Sequence, residues 1–272
     1  MKKLIYMPAA SLLILMAGCA SSGKPADSGV DSLVDTGNVN DTATHDTVAP
    51  INNIPFEVKK FEKKKGDDEL KLEYPIGGNP GVVEAVRTWI NEELGGKFRG
   101  NLDNADGFFH VYASTLGDDP DLAEYGGFTI DDFELEFVDD YVVTYEHTSY
   151  LYEGGAHGIG GKYGSSFRQS DGKMFGKKCF TSYKPLHKLF VEGLKQYFKV
   201  KTDAQLLDCL NQGTKLANIP APALEPWITE DGVVFSYTNY EIAPYSAGSP
   251  TFTLPFDKIE QYLTEEGKTF FK

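Results

Sequence analysis

The sequence predicts an α+β fold, with mainly antiparallel sheets, helices packed on them, and two closely associated subdomains. Three observations predict it. Strand and helix patterns come in blocks rather than in strict βαβ alternation. Two pairs of strand-like runs are joined by short turns, Asp139-Asp140 and Glu230-Asp231-Gly232, as hairpins are. The 18 Phe and 15 Tyr supply enough apolar area for a packed core.

Taken in order, the first strand is Glu69 to Pro75, where polar and apolar residues alternate until proline ends the run. Gly77 to Pro80 break the chain. Val82, Val83, Val86, Trp89, Ile90 and Leu94 then recur at helical spacing, and Gly95-Gly96 close that helix. A second helix is expected over Asp106 to Leu116, with Phe109, Tyr112 and Leu116 inward. Phe133, Leu135 and Phe137 alternate with glutamates as a strand. Strands follow at Tyr141 to Tyr152 and near Tyr163 to Gln169. Pro185 to Phe198 is an amphipathic helix with Leu186, Leu189, Phe190, Leu194 and Tyr197 on one face. Asp203 to Leu210 reads as helix, Trp227 to Thr229 with Val233 to Tyr237 as a hairpin, and Thr251 to Leu254 as a short strand. A terminal helix, Asp257 to Leu263, is expected to be capped by Asp257.

The first 53 residues stand apart. Lys2 and Lys3 precede an apolar run from Leu4 to Ala17, too short to span a hydrocarbon core of about 30 Å. This is the pattern of a secretion signal over residues 1–18. Leu15-Met16-Ala17-Gly18-Cys19 reads as a lipobox, with Met16 where Leu or Val is commoner, so Cys19 is expected to be the acylated first residue of the mature chain. Its acyl chains would insert in the lipid bilayer, each buried CH₂ contributing about 0.8 kcal/mol. Residues 19–53 are rich in Ser, Thr, Gly, Asn and Asp and hold no aromatic residue, which is the composition of a flexible tether. The expected location is the cell envelope, on the periplasmic side of an outer membrane. Ala20 rather than Asp follows Cys19, and Ala20 to Lys24 hold no acidic cluster.

The chain carries a net charge of −14, which becomes −16 without Lys2 and Lys3. Such a surface disfavours nucleic acid and anionic headgroups and favours a basic partner or plain solubility. Apart from Cys19 the cysteines are Cys179 and Cys209. An oxidising compartment favours a disulfide between them, closing a loop of roughly 30 residues and adding about 3–4 kcal/mol. The alternative is two buried free thiols. No metal-ligand spacing occurs among His45, His110, His147, His157 and His187, and there is no phosphate-binding glycine loop or serine elbow, so no metal or cofactor is expected.

At Ser149-Tyr150-Leu151-Tyr152-Glu153-Gly154-Gly155-Ala156-His157-Gly158 the chain resembles the DUF3298 (RsiV-like) family. Phe235-Ser236-Tyr237, Tyr240-Glu241-Ile242-Ala243-Pro244-Tyr245, Gly248 and Leu254-Pro255-Phe256 carry the same resemblance. Lys71 to Leu94 is similar to the DUF4163 domain found upstream of it. The resemblance divides the folded part into a DUF4163-like region, 54–138, and a DUF3298-like region, 139–272. It implies an extracytoplasmic module of the kind found in lysozyme-sensing anti-sigma factors, or beside polysaccharide deacetylase domains. Anti-sigma activity is not carried over, because no spanning segment or sigma-binding region is read, and the deacetylase histidine and aspartate motifs are missing.

Whether Gly154, Gly155 and His157 carry chemistry is a separate question. Glycines permit a tight strand connection, and His157 reads either as a titrating contact or as a histidine bonded within its own loop. Glu153, Asp139 and Asp140 would serve acid–base work only in a desolvating cleft. The candidate ligand-binding residues are Tyr152, Gly154, Gly155, His157, Tyr240 and Tyr245, with no catalytic set. The expected function is a non-enzymatic binding module for a basic protein such as lysozyme, or for cell-wall glycan. The alternatives are a cell-wall glycan hydrolase or deacetylase using His157, and a purely structural envelope lipoprotein.

Overall fold

The computed structural model describes residues 54–271. Cys19, the signal segment and the tether lie outside the described residues. A five-stranded sheet runs in the order β1 (Glu57–Lys65), β2 (Asp68–Gly77), β3 (Phe128–Val138), β4 (Val142–Tyr152), β5 (Ile159–Arg168). A three-stranded sheet holds β6 (Trp227–Thr229), β7 (Gly232–Ser236) and β8 (Thr251–Leu254). Neighbouring strands pair antiparallel except β2 with β3. A parallel pair needs a crossover. Here α1 (Pro80–Glu93), α2 (Ala105–Ser114) and the short α3 (Pro120–Glu124) supply it. The α+β expectation therefore holds, with this one parallel pair inside a mainly antiparallel sheet.

Strand β1 is the element the residue pattern does not reveal. Its sequence, EVKKFEKKK, is lysine-rich and shows little alternation. It forms because the turn at Gly66, φ 67°, folds it back on the amphipathic β2. Lysines suit an edge strand, since they resist pairing with a second chain. They are also matched: Lys60 Nζ lies 2.5 Å from Glu73 and Lys59 Nζ 2.6 Å from Asp106.

The sheet separates two cores. Leu70, Leu72 and Tyr74 of β2 face α1 and α2, where Val82, Val86, Trp89, Ile90 and Phe108 are buried. Trp89 meets Phe133 and Phe167 edge-on at 5.7 and 5.9 Å. On α2 the inward residue is Phe108, fully buried against Tyr74 at 4.6 Å, rather than the expected Phe109. Phe109 is half-buried and stacks on Phe61 at 4.7 Å, a partner offered by the unforeseen β1.

The second core gathers α4 (His187–Phe198), α5 (Asp203–Cys209), the small sheet and the C-terminal segment. Thr202 and Gln205 form a capping box on α5. The terminal helix differs from expectation. It starts at Phe256, with Pro255 at the cap and no side-chain capping bond, so Asp257 lies in the first turn. After Ile259 it tightens into a 3-10 turn, Glu260–Tyr262, and a further short helix, α7 (Glu265–Lys268), follows Thr264.

The expected Cys179–Cys209 disulfide does not form; both thiols are free. Cys179 is fully buried in the C-terminal core, and that burial pushes its thiol above the usual range. Cys209 is bonded within its own helix, Sγ donating to the Gln205 carbonyl at 3.3 Å. Each sulfur is committed to its local surroundings, Cys179 to the core and Cys209 to its own helix.

The two sheets meet where β6 crosses the outer face of β4 and β5. Trp227 lies flat over Gly164, and a Cβ at position 164 would sit 2.1 Å from the indole. Ser166 Oγ accepts from the Ile228 amide at 2.7 Å and pairs with Thr144 Oγ1 at 2.7 Å. Trp227 Nε1 donates to the buried Glu146 carboxylate at 3.0 Å, and Lys162 holds its other oxygen.

Gly164→Ala should therefore lower stability by about 1–3 kcal/mol, the range for overpacking a core; an unchanged urea midpoint would show that the indole is not fixed there. Because neither thiol is bridged, the midpoint of the full chain should be the same with and without reductant. A drop on reduction would instead reveal a disulfide.

Candidate functional site

The candidate residues lie on two segments that the fold brings together. The first is the tip of the β4–β5 hairpin, residues 153–158, which joins Leu151 to its register partner Ile159. Gly154 and Gly155 have φ of 85° and 104°, a backbone in which a side chain would be strained, so the Gly-Gly pair is the condition for this turn. The tip is tied to its own strands: Tyr152 Oη donates to the Gly155 carbonyl at 2.9 Å, and Tyr150 Oη accepts from the Gly158 amide at 3.1 Å.

The second segment, Tyr237 to Pro250, links β7 to β8 and is rigid for reasons visible in its side chains. Ile242 and Ala243 are buried in the C-terminal core. Glu241 accepts from the amides of Thr238 and Ala223 at 2.9 and 2.8 Å. Tyr197 Oη donates to the Ala247 carbonyl at 2.6 Å, and Asn211 Nδ2 to the Tyr240 carbonyl at 3.2 Å. A loop anchored this way presents its exposed residues at low entropic cost.

The two segments meet at His157. Its ring stacks on Tyr245 with centroids 3.8 Å apart and planes 16° from parallel. Tyr245 Oη donates to the Gly158 carbonyl at 2.7 Å. His157 Nδ1 lies 3.0 Å from that same carbonyl, which fixes its proton on Nδ1 and leaves Nε2 to accept from Tyr240 Oη at 3.4 Å. Tyr240 in turn tilts against Tyr245 at 5.6 Å. Thus Tyr152, Gly154, Gly155, His157, Tyr240 and Tyr245 form one continuous surface. His157 is both bonded within its loop and exposed.

Two features of that surface stand out. Tyr240 has φ 68°, a left-handed conformation costly for a bulky residue, yet its ring is half exposed rather than packed. Two further exposed apolar side chains flank the hairpin tip: Tyr125 at 66 % and Ile159, the first residue of β5, at 50 % exposure. Tyr125, from the loop after α3, touches Gly154; residue reading gave no signal for it, because α3 itself was unforeseen. A shallow pocket of about 150 Å³ opens between Leu151, Glu153, Gly154, His157 and Ile159.

The remaining carboxylates resolve differently. Asp139 is a turn residue, accepting from the amides of Tyr141 and Val142 at 2.8 Å each. Glu136, Glu146, Glu230 and Asp231 line a larger cleft of about 370 Å³ between the sheets, with Lys162, Trp227 and three threonines. Burial and the neighbouring Glu146 raise the Glu136 carboxyl. Among the described residues no group of three or more His, Cys, Asp or Glu could hold a metal ion, and no helix is long and apolar enough to cross a membrane.

Tyr240→Gly should relieve the left-handed strain and raise stability by up to about 1 kcal/mol, whereas Tyr240→Ala keeps the strain and should gain nothing. A loss of stability in the glycine variant would show that the ring is a packing residue.

Residues 182–257, from the turn before α4 to the first turn of the helix that starts at Phe256, match the family model described as a protein of unknown function, DUF3298. Two solved structures share the fold. A DUF3298 family member from Bacteroides fragilis NCTC 9343 is 18 % identical over 79 % of this chain and 96 % of its own, with a TM-score of 0.56. A DUF3298 family protein from Pseudomonas aeruginosa PAO1 is 16 % identical over 79 % of this chain and 95 % of its own, with a TM-score of 0.50. No curated protein matches the chain. The segment matched by the model carries Tyr240 and Tyr245 and stops short of the His157 hairpin.

Proposed function

We propose that the chain is a lipid-anchored envelope protein whose folded part is a non-enzymatic binding module, with the hairpin tip and the Tyr240–Tyr245 loop as its contact surface. The observation that carries the reading is the strained, half-exposed Tyr240, set on a rigid loop against His157 and Tyr245 beside a tip flanked by exposed Tyr125 and Ile159. Exposed tyrosines held by a fixed backbone make strong anchors, because little freedom is lost when a partner covers them. The partner class that fits is a basic protein of the envelope such as lysozyme, or cell-wall glycan. A net charge of −14 steers a basic protein toward the module, and tyrosine faces suit sugar rings. The RsiV-like resemblance, the DUF4163-like helix and strand before β3, and the lipobox at Cys19 support the same reading. Cys19 would hold the module at the bilayer, facing the periplasm from the outer membrane.

A second reading has one observation in its favour: Glu153 and His157 line the same small pocket, as a hydrolase or deacetylase acting on glycan would need. Both side chains are exposed, however, so nothing there desolvates a carboxylate for acid–base work.

Titration calorimetry of the full chain with a c-type lysozyme and with soluble cell-wall fragments, at two salt concentrations, tests the proposal. Micromolar or tighter binding that weakens with salt is expected for the basic protein. Tyr240→Ala and Tyr125→Ala should each weaken binding about tenfold, the effect of losing an anchor worth 1–2 kcal/mol. No heat with either ligand, or full affinity in both variants, would remove the tip as the contact surface. Glycan turnover abolished by His157→Ala would establish the enzymatic reading instead.

A further inference from the structure

One buried titratable group lies far from this surface and takes no part in it. His147, on β4, is 5 % exposed and stacks on Phe133 of β3 with ring centroids 3.9 Å apart and planes 9° from parallel. Its Nε2 lies 2.8 Å from Asp131 Oδ1 on β3. Its Nδ1 is fully buried, has no hydrogen-bond partner, and points at Glu93 Oε2 at 3.7 Å. Glu93 is the last residue of α1, and it is 39 % exposed. Tyr163 of β5 approaches the imidazole at 6.3 Å and is neutral, burial and the Glu93 charge raising its phenol further.

We propose that His147 is a pH-operated latch fastening the end of α1 to the sheet. Asp131 holds one ring proton on Nε2 in either state, so the second proton decides what Nδ1 does. The imidazolium presents an N–H to Glu93 and draws its carboxylate in. The neutral ring presents a lone pair to that carboxylate in a buried setting, and Glu93, already partly exposed, turns out to water.

The consequence reaches beyond one contact. Glu93 closes the turn that contains Asn91, whose side chain accepts from Tyr112 Oη at 2.5 Å. Tyr112 Oη also accepts from the Lys97 amide at 2.8 Å and the Phe98 amide at 3.2 Å. Leu94 and Gly96 amides bond to the Ile90 and Asn91 carbonyls at 3.1 and 2.6 Å. Releasing Glu93 loosens this junction between α1 and α2. Burial alone lowers the affinity of His147 for its second proton, but the bonds to Asp131 and Glu93 and their charges outweigh it, so the net displacement is upward. The stabilisation is therefore complete below about pH 6.5, the value in the unfolded chain, and fades as the pH rises through the folded value. The latch holds in acid and opens as the pH rises through that value.

The test is proton NMR titration of His147 in the full chain, with amide hydrogen exchange of residues 94–98 at pH 5.5 and 8.0, corrected for intrinsic rates. We expect His147 to titrate above 6.5 and protection at 94–98 to fall at least tenfold at the higher pH. Glu93→Gln, which leaves the Asp131 bond in place, should give low protection at both pH values. His147→Gln should behave likewise, since its amide still donates to Asp131 but takes up no proton. A His147 titrating at or below 6.5, or the same pH-dependent protection in Glu93→Gln, overturns the proposal.

Discussion

The crossing of Trp227 over Gly164 is the constraint on which the other parts depend. A large indole fits against a β-strand only where that strand has no side chain, and Gly164 supplies the place. The joint is then fixed by directional bonds rather than by area alone: Ile228 to Ser166, Ser166 to Thr144, and the indole N–H to Glu146. A buried carboxylate is expensive unless satisfied, and Glu146 is satisfied from both sides, by Trp227 and Lys162. These partners come from both sheets, so removing one leaves a charge stranded in the joint. That gives the sheets a single relative setting.

That setting is what assembles the aromatic surface. The Tyr237–Pro250 loop hangs from the small sheet and the glycine-rich tip from the large one, and neither holds the other's residues in sequence. The His157–Tyr245 stack is the place where they touch. Its geometry is inherited from the joint of Gly164 on β5 with Trp227 on β6, the strand paired to the β7 from which the loop leaves. Rigidity at the tip is thus a property of the whole interface, with Glu241, Asn211 and Tyr197 as local supports.

Elements with a clean period were legible in the sequence. The amphipathic faces of α1 and α4, the β3–β4 hairpin at Asp139, and the β6–β7 hairpin at Gly232 all stand where alternation and turn residues place them. What escaped notice depended on tertiary partners. The lysines of β1 conceal a strand that exists because β2 lies beside it, and Phe109 is drawn outward by Phe61 of that same strand. The choice between a disulfide and two free thiols was not legible, because sequence carries no information on their separation. At the candidate site, Tyr240, Tyr245 and His157 could be nominated from motif and loop chemistry. Tyr125 could not, because its place beside Gly154 arises from a short helix with only Asp119 and Pro120 to announce it. His147 likewise shows nothing in sequence, since its two carboxylate neighbours come from other elements, one of them 54 positions away.

Strand β4 feeds both cores in turn. Val142 is buried in the C-terminal one, while Val143 and Tyr145 are buried in the N-terminal one. Thr144 and Glu146 face the joint between the sheets. Adjacent residues of one strand thus belong to different hydrophobic interiors. A single-residue insertion in β4 would expose both interiors at once, because every side chain beyond it would change face. Cutting the chain before Val142 would take Val143, Tyr145 and Phe167 from the N-terminal core, and cutting after Tyr152 would take Val142 from the C-terminal core. Neither half carries a complete interior of its own.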